Sequence, residues 1–155
     1  MKNELLEDSG LTPGCRRHPV VADLLDPGWL SLLATGGWDP GEPTLWILEG
    51  LLVYLEPDQR LELLTRLAGA GDRGRLGATL STARGAMPHP LWRPAPDGEP
   101  EAWMASAGWR ATTQTMAEAS ASFGRPLPVT RWTNAWRLVS ATQRDVWPTN
   151  TGATG

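Results

Sequence analysis

A chain of 155 residues with 41% hydrophobic residues and a net charge of −3 has the apolar content of one globular domain and no large excess of either charge. Its 14 basic and 17 acidic residues are mixed along the sequence, so no basic stripe exists to attract nucleic acid or an anionic membrane over long range. The single cysteine, Cys15, forms no intramolecular disulfide and has no Cys or His neighbours at zinc spacing, so no metal site is expected. The N-terminus lacks the apolar run of a signal peptide, and no stretch approaches the about 18 apolar residues that span a bilayer. A cytoplasmic protein with no membrane partner is the expectation.

In chain order, residues 1–18 are charged and then rich in turn formers, and read as a tail or linker. Residues 19–145 form the expected domain, and 146–155 an expected disordered tail. Val20-Val21-Ala22 reads as the end of a strand, and Pro27 to Ala34 as a short helix stopped by Gly36-Gly37. Thr44 to Leu48 is a continuous apolar run bounded by turn signals, the pattern of a strand buried on both faces. Pro57 opens a helix to Ala68, with Leu61, Leu64 and Leu67 or Ala68 as its stripe, Glu62 facing Arg66, and Gly69 or Gly71 as its stop.

Leu76 to Leu80 is the next strand, and the four prolines between Pro88 and Pro96 make a loop. A short helix follows from Pro100, with Trp103 and Met104 inward. Trp109 to Thr115 reads as a strand, Met116 to Phe123 as a helix ended by Gly124, and Trp136 to Thr142 as a last strand. Strands separated by helices imply parallel units of an α/β sheet.

Gly69-Ala70-Gly71-Asp72-Arg73-Gly74 matches G-x-G-x-x-G letter for letter. The dinucleotide fingerprint needs those glycines after a strand and before a helix, and here the order is reversed. They read as a helix stop and a tight turn. His18 and His89 sit in proline-flanked loops with no Ser or Cys at triad spacing. The nine tryptophans are spread from Trp29 to Trp147 and read as packing residues.

Glu49 directly follows the run Thr44 to Leu48 and precedes Gly50, at the C-terminal end of an expected parallel strand. Ligands of open α/β sheets bind beyond those ends. A carboxylate there accepts from a ligand ammonium or hydroxyl, and glycine lets the backbone turn sharply. Taken alone, such a carboxylate reads more readily as a solvated turn residue. Asp23, after Val20 to Ala22, has the same character, and two carboxylates closing two strands point to a shared crevice.

The segment Pro43 to Leu55 resembles the E-G-L-L-x-Y-L signature of the leucine carboxyl methyltransferase-like family. Asp23-Leu24 is similar to that family's Asp-Leu, Glu101 to Trp109 to its W-L-x-x-x-G-W helix, and Ser122 to Pro126 with Leu138 to Thr142 to its closing segment. The match runs in order over residues 18–144. It implies the C-terminal portion of a class I methyltransferase, a Rossmann-like α/β sheet with helices on both faces, lacking the first strands.

The resemblance further implies S-adenosylmethionine as cofactor and methyl transfer to a carboxylate or hydroxyl oxygen of a small molecule, often in secondary metabolism. It places Asp23 and Leu24 at the adenine end of the cofactor, Glu49 and Gly50 at the methionine end, and Tyr54 on the substrate side. The family's glycine-rich loop and its acidic ribose-binding residue precede this region, so the chain is expected to be weak or inactive alone, with an exposed apolar sheet edge. A homo-oligomer or a complementing N-terminal half is the implied partner. The alternative is a non-catalytic interaction module that has kept part of the fold.

Overall fold

The computed structural model describes residues 14–83 and 89–144. Apart from residues 14–18, the expected tails at 1–18 and 146–155 lie outside the described residues. The chain divides into two compact units, residues 1–39 and 40–155.

In the first unit, residues 16–23 belong to no helix or strand, against the expectation for Val20-Val21-Ala22. Val21 is 97% exposed, and among the described residues no strand pairs with this segment. Val20 instead lies against Gly36, where an added Cβ would come within 2.9 Å of its side chain. Helix α1 spans Trp29–Thr35. It stops where the sequence predicts: the Gly36 amide donates to the Leu32 carbonyl, and Gly37 takes φ +100°.

The second unit is a four-stranded sheet in the order β1-β2-β4-β3, with β1 Thr44–Leu48, β2 Gly74–Ser81, β3 Trp109–Thr115 and β4 Trp136–Gln143. Strands β1 and β2 are parallel, joined by the crossover helix α2, Pro57–Ala68. Strand β4 runs antiparallel to both its neighbours. The expectation of parallel units therefore holds for β1, β2 and β3, which run in one direction, and fails for β4 alone, which is inserted antiparallel between β2 and β3. Two short helices, α4 (Met116–Ser122) and α5 (Arg131–Ala135), join β3 to β4, and α3 spans Pro100–Ser106.

Helix α2 carries its buried stripe at Arg60, Leu63, Leu64 and Leu67, the i, i+3, i+4, i+7 spacing of one face. Leu61, expected inward, is 44% exposed, because the stripe is centred one residue earlier than the leucine spacing suggests. Burying each of the three leucines contributes roughly 1.5–3 kcal/mol. Glu62 and Arg66 pair at 2.5 Å on the outer side. Met104 of α3 and Trp109 of β3 are fully buried, and the Trp109 indole N–H donates to the Leu64 carbonyl at 2.9 Å, fastening β3 to α2.

The core face of the sheet carries Leu48, Leu76, Ala78, Leu80, Val139 and Ala141. The opposite face is exposed along Leu45, Ile47, Arg75, Thr112 and Ser140. Strand β1 is therefore buried on one face only, against expectation, with Leu45 61% and Ile47 68% exposed. Among the described residues β1 is also an edge strand. No helix among the described residues is long and apolar enough to cross a membrane.

Candidate functional site

The carboxyl ends of the parallel pair β1 and β2 lie side by side, and the residues singled out around β1 gather there. Glu49 directly follows the last residue of β1. It is exposed, and its carboxylate has no hydrogen-bond or ion-pair partner among the described residues. Gly50 takes φ +65°, a left-handed conformation that glycine adopts without penalty. Its amide donates to Thr79 Oγ1 of β2 at 2.8 Å, which fixes the turn on the neighbouring strand.

Leu52–Tyr54 then makes one 3₁₀ turn, with Leu52 and Val53 buried and Tyr54 49% exposed. The apolar pair anchors the turn while Tyr54 faces outward. Asp23 and Leu24 belong to the first unit. Asp23 is exposed, with Oδ1 accepting from the Leu25 amide at 2.9 Å, and Leu24 is half-buried in the turn before α1. The other oxygen of Asp23 accepts nothing within that turn.

A second layer supports the turn. Arg60, 7% exposed, donates from Nε to the Leu55 carbonyl at 2.7 Å and from Nη2 to the Arg93 carbonyl at 3.0 Å. It thereby ties α2 to the end of the 3₁₀ turn and to the loop that follows β2. Burial pulls the Arg60 guanidinium below its ordinary pKa, with Glu56 opposing through its charge. The Arg93 amide closes the arrangement by donating to the Val53 carbonyl at 2.7 Å. Arg93 Nε lies 2.5 Å from Glu56 Oε1, a close ion pair outside hydrogen-bond geometry.

Sequence reasoning missed Thr79 and Arg60. Thr79 lies 29 residues from Gly50, and nothing in the sequence marks the pairing. Arg60 did leave a signal: it shares the helical face of Leu63, Leu64 and Leu67, where a charged residue needs partners.

The G-x-G-x-x-G segment sits at the opposite end of the sheet. Gly69 caps the C-terminus of α2 and Gly74 begins β2. The Gln143 side chain fills the loop: Nε2 donates to the Ala68 carbonyl at 2.7 Å and the Gly71 carbonyl at 2.5 Å, and Oε1 accepts from the Gly74 amide at 2.5 Å. This is a structural turn. His18 is exposed, and His89 accepts from the Leu91 amide through Nδ1, the roles of loop residues. No cluster of His, Cys, Asp or Glu that could hold a metal occurs among the described residues.

The sequence profile of a family described as leucine carboxyl methyltransferase matches residues 1–68, which include Asp23, Leu24, Glu49, Gly50 and Tyr54. A protein of Frankia alni named as an S-adenosyl-L-methionine-dependent methyltransferase is 34% identical over 81% of this chain and 48% of its own length. One of Streptomyces avermitilis, named likewise, is 35% identical over 92% of this chain and 55% of its own. The chain spans about half the length of these curated relatives.

Among solved structures, LaPhzM superposes with a TM-score of 0.52 at 17% identity, covering 91% of this chain and 38% of that one. The mitomycin 7-O-methyltransferase MmcR gives 0.52 at 16% identity, covering 92% and 38%. These two share the fold. The ordered motifs from Asp23 to Thr142, the matching profile and the curated relatives agree in likening the chain to the leucine carboxyl methyltransferase family.

Proposed function

We propose that this chain takes part in S-adenosylmethionine-dependent methyl transfer to a carboxylate or hydroxyl oxygen of a small molecule, in the cytoplasm and in secondary metabolism. The observation that carries the reading is Glu49, a partner-free carboxylate at the carboxyl end of a parallel strand, with its backbone held by Gly50 and Thr79. Ligands of open α/β sheets bind at such ends. The relatives' names supply the chemistry of the ligand.

The residues present fit that cofactor. The Glu49 carboxylate suits the ammonium of its methionine end. At Gly50 a Cβ would meet nothing within 4 Å, so the turn leaves room for close approach. Asp23 has one oxygen engaged by Leu25 and a second that can accept from an exocyclic amine, with Leu24 beside it. Tyr54 stands on the substrate side, where its hydroxyl can orient the accepting oxygen.

When bound, the cofactor supplies an electrophilic methyl group on sulfonium sulfur. Direct displacement there needs no protein nucleophile. The work of this chain's residues is alignment and charge placement.

The test joins the chain to the portion of the Frankia alni relative that it does not match, and titrates the fusion calorimetrically with S-adenosylmethionine. Asp23→Ala and Glu49→Ala should each weaken binding by about 1–3 kcal/mol. Unchanged affinity in both would remove them from the site.

One observation favours a second reading, a non-catalytic module that pairs with another chain: Leu45 and Ile47 are exposed on an edge strand. Under that reading Ile47→Lys abolishes a stoichiometric association seen by sedimentation, and the fusion binds no cofactor.

A further inference from the structure

A cavity of about 180 Å³ lies between α2 and α3 at the carboxyl end of β2. Its apolar wall includes Leu52, Val53, Leu64, Leu80, Trp103 and Met104. Glu49, Gly50 and Tyr54 do not line it, so it is separate from the residues assigned above. Cavities of about 150 Å³ admit a benzene-sized ring.

The polar members of the lining decide what the ring should carry. Arg60 lines the cavity and is 7% exposed. A guanidinium has five N–H donors, and only Nε–H and one Nη2–H are engaged here, both by neutral carbonyl oxygens. Its other three donors have no acceptor among the described residues. Among the described residues no carboxylate lies within ion-pair distance of it; Glu56, whose charge acts on it from further away, pairs with Arg93. A buried guanidinium hydrogen-bonded only to carbonyl oxygens, with the Glu56 charge acting from beyond ion-pair distance, is an incomplete charge arrangement. The Asp58 carboxylate also borders the cavity, but it is exposed and belongs to the rim. Ser81, 7% exposed, uses its hydroxyl oxygen to accept from the Ala83 amide at 3.1 Å, and its O–H proton is left to donate.

We infer that this cavity is a binding site for a small apolar carboxylate, with its ring or branched chain against Leu64, Leu80 and Met104 and its carboxyl group on Arg60 and Ser81. The inference goes beyond the proposed methyl transfer and stands whether or not the cofactor binds, because the residues are different.

The test titrates the 155-residue chain with benzoate and, separately, with the neutral isostere benzamide, followed by amide chemical shifts in NMR. Benzoate should bind saturably and about tenfold more tightly than benzamide, the scale of one charge-assisted hydrogen bond. Arg60→Met should reduce that preference to about twofold or less. Leu61→Trp, at a half-exposed position on the lining, should block both compounds while circular dichroism shows the fold retained. Equal affinity for the two compounds, no saturable benzoate binding up to about 10 mM, or full benzoate binding by Leu61→Trp overturns the inference.

Discussion

The Gly50 amide donates to Thr79 Oγ1 at 2.8 Å, which ties the turn after Glu49, at the end of β1, to the neighbouring parallel strand β2. Thr79→Val keeps the β-branched shape and removes the acceptor, leaving a part-buried amide unpaired. A loss of about 1–3 kcal/mol in unfolding free energy is expected from denaturant titration. Thr79→Ser, which restores the acceptor, should recover most of it. Equal stability of the valine and parent proteins would show that the bond does not hold the turn.

Gly50 itself sits at φ +65°. Gly50→Ala meets no steric obstacle, since an added Cβ has nothing within 4 Å, so its cost is that of the left-handed backbone alone, about 1–2 kcal/mol. Gly77→Ala is the control, a strand glycine with the same open space and ordinary φ. It should be neutral or mildly stabilising. A fall in melting temperature as large for Gly77→Ala as for Gly50→Ala would contradict the backbone explanation.

Gln143 occupies the loop that mimics a nucleotide fingerprint, with three backbone groups as its partners. Gln143→Ala should cost about 1–3 kcal/mol by leaving these groups unpaired. Gly74→Ala should also destabilise, because its Cβ would come within 2.9 Å of the Gln143 side chain. Neither change should alter cofactor binding by the fusion protein, because this loop lies at the far end of the sheet. A fall in cofactor affinity matching that of Glu49→Ala would reverse that assignment.

Two carboxylates give stability an acid limb. Glu101 titrates below the usual glutamate range chiefly because the Thr113 hydroxyl donates to it, with desolvation opposing. Glu118 does so because the Thr115 amide and hydroxyl donate to it at the start of α4. A carboxyl group with a folded pKa below its unfolded value adds stability that is complete above the unfolded pKa, about 4.3. That stability is lost as the pH falls through the folded pKa. Thr113→Val should therefore lower stability at neutral pH and flatten the decline below about pH 4.3. A parallel curve, displaced but equally steep, would show that the Glu101 contact is not the source.

The parts of the fold set by local chemistry were legible in the sequence, and those set by long-range pairing were not. Pro57 and Gly69 bound α2 as expected, and Thr44 to Leu48 is the strand that its apolar run implied. The antiparallel direction of β4 had no local signature. The β3–β4 connection contains helices, as a parallel crossover would, and α5 was hidden behind Pro126 and Pro128. Burial was misjudged at Leu45 and Ile47 because an apolar run states what could be covered and not what covers it. At the site, Glu49 and Gly50 were marked by position after an apolar strand. Asp23 was marked by a strand that does not form, and its place rests on the family motif.

The most direct measurement is a titration of the isotopically labelled chain with S-adenosylmethionine, followed amide by amide in NMR. Asp23 and Glu49 offer two or three hydrogen bonds worth roughly 0.5–3 kcal/mol each, against an association cost of about 4–15 kcal/mol. Binding by the chain alone should therefore be millimolar or weaker. The shifts that move with concentration should be those of Asp23, Leu24, Glu49 and Gly50. Low-micromolar binding, or shifts that move elsewhere while these four amides stay fixed, would contradict the assignment.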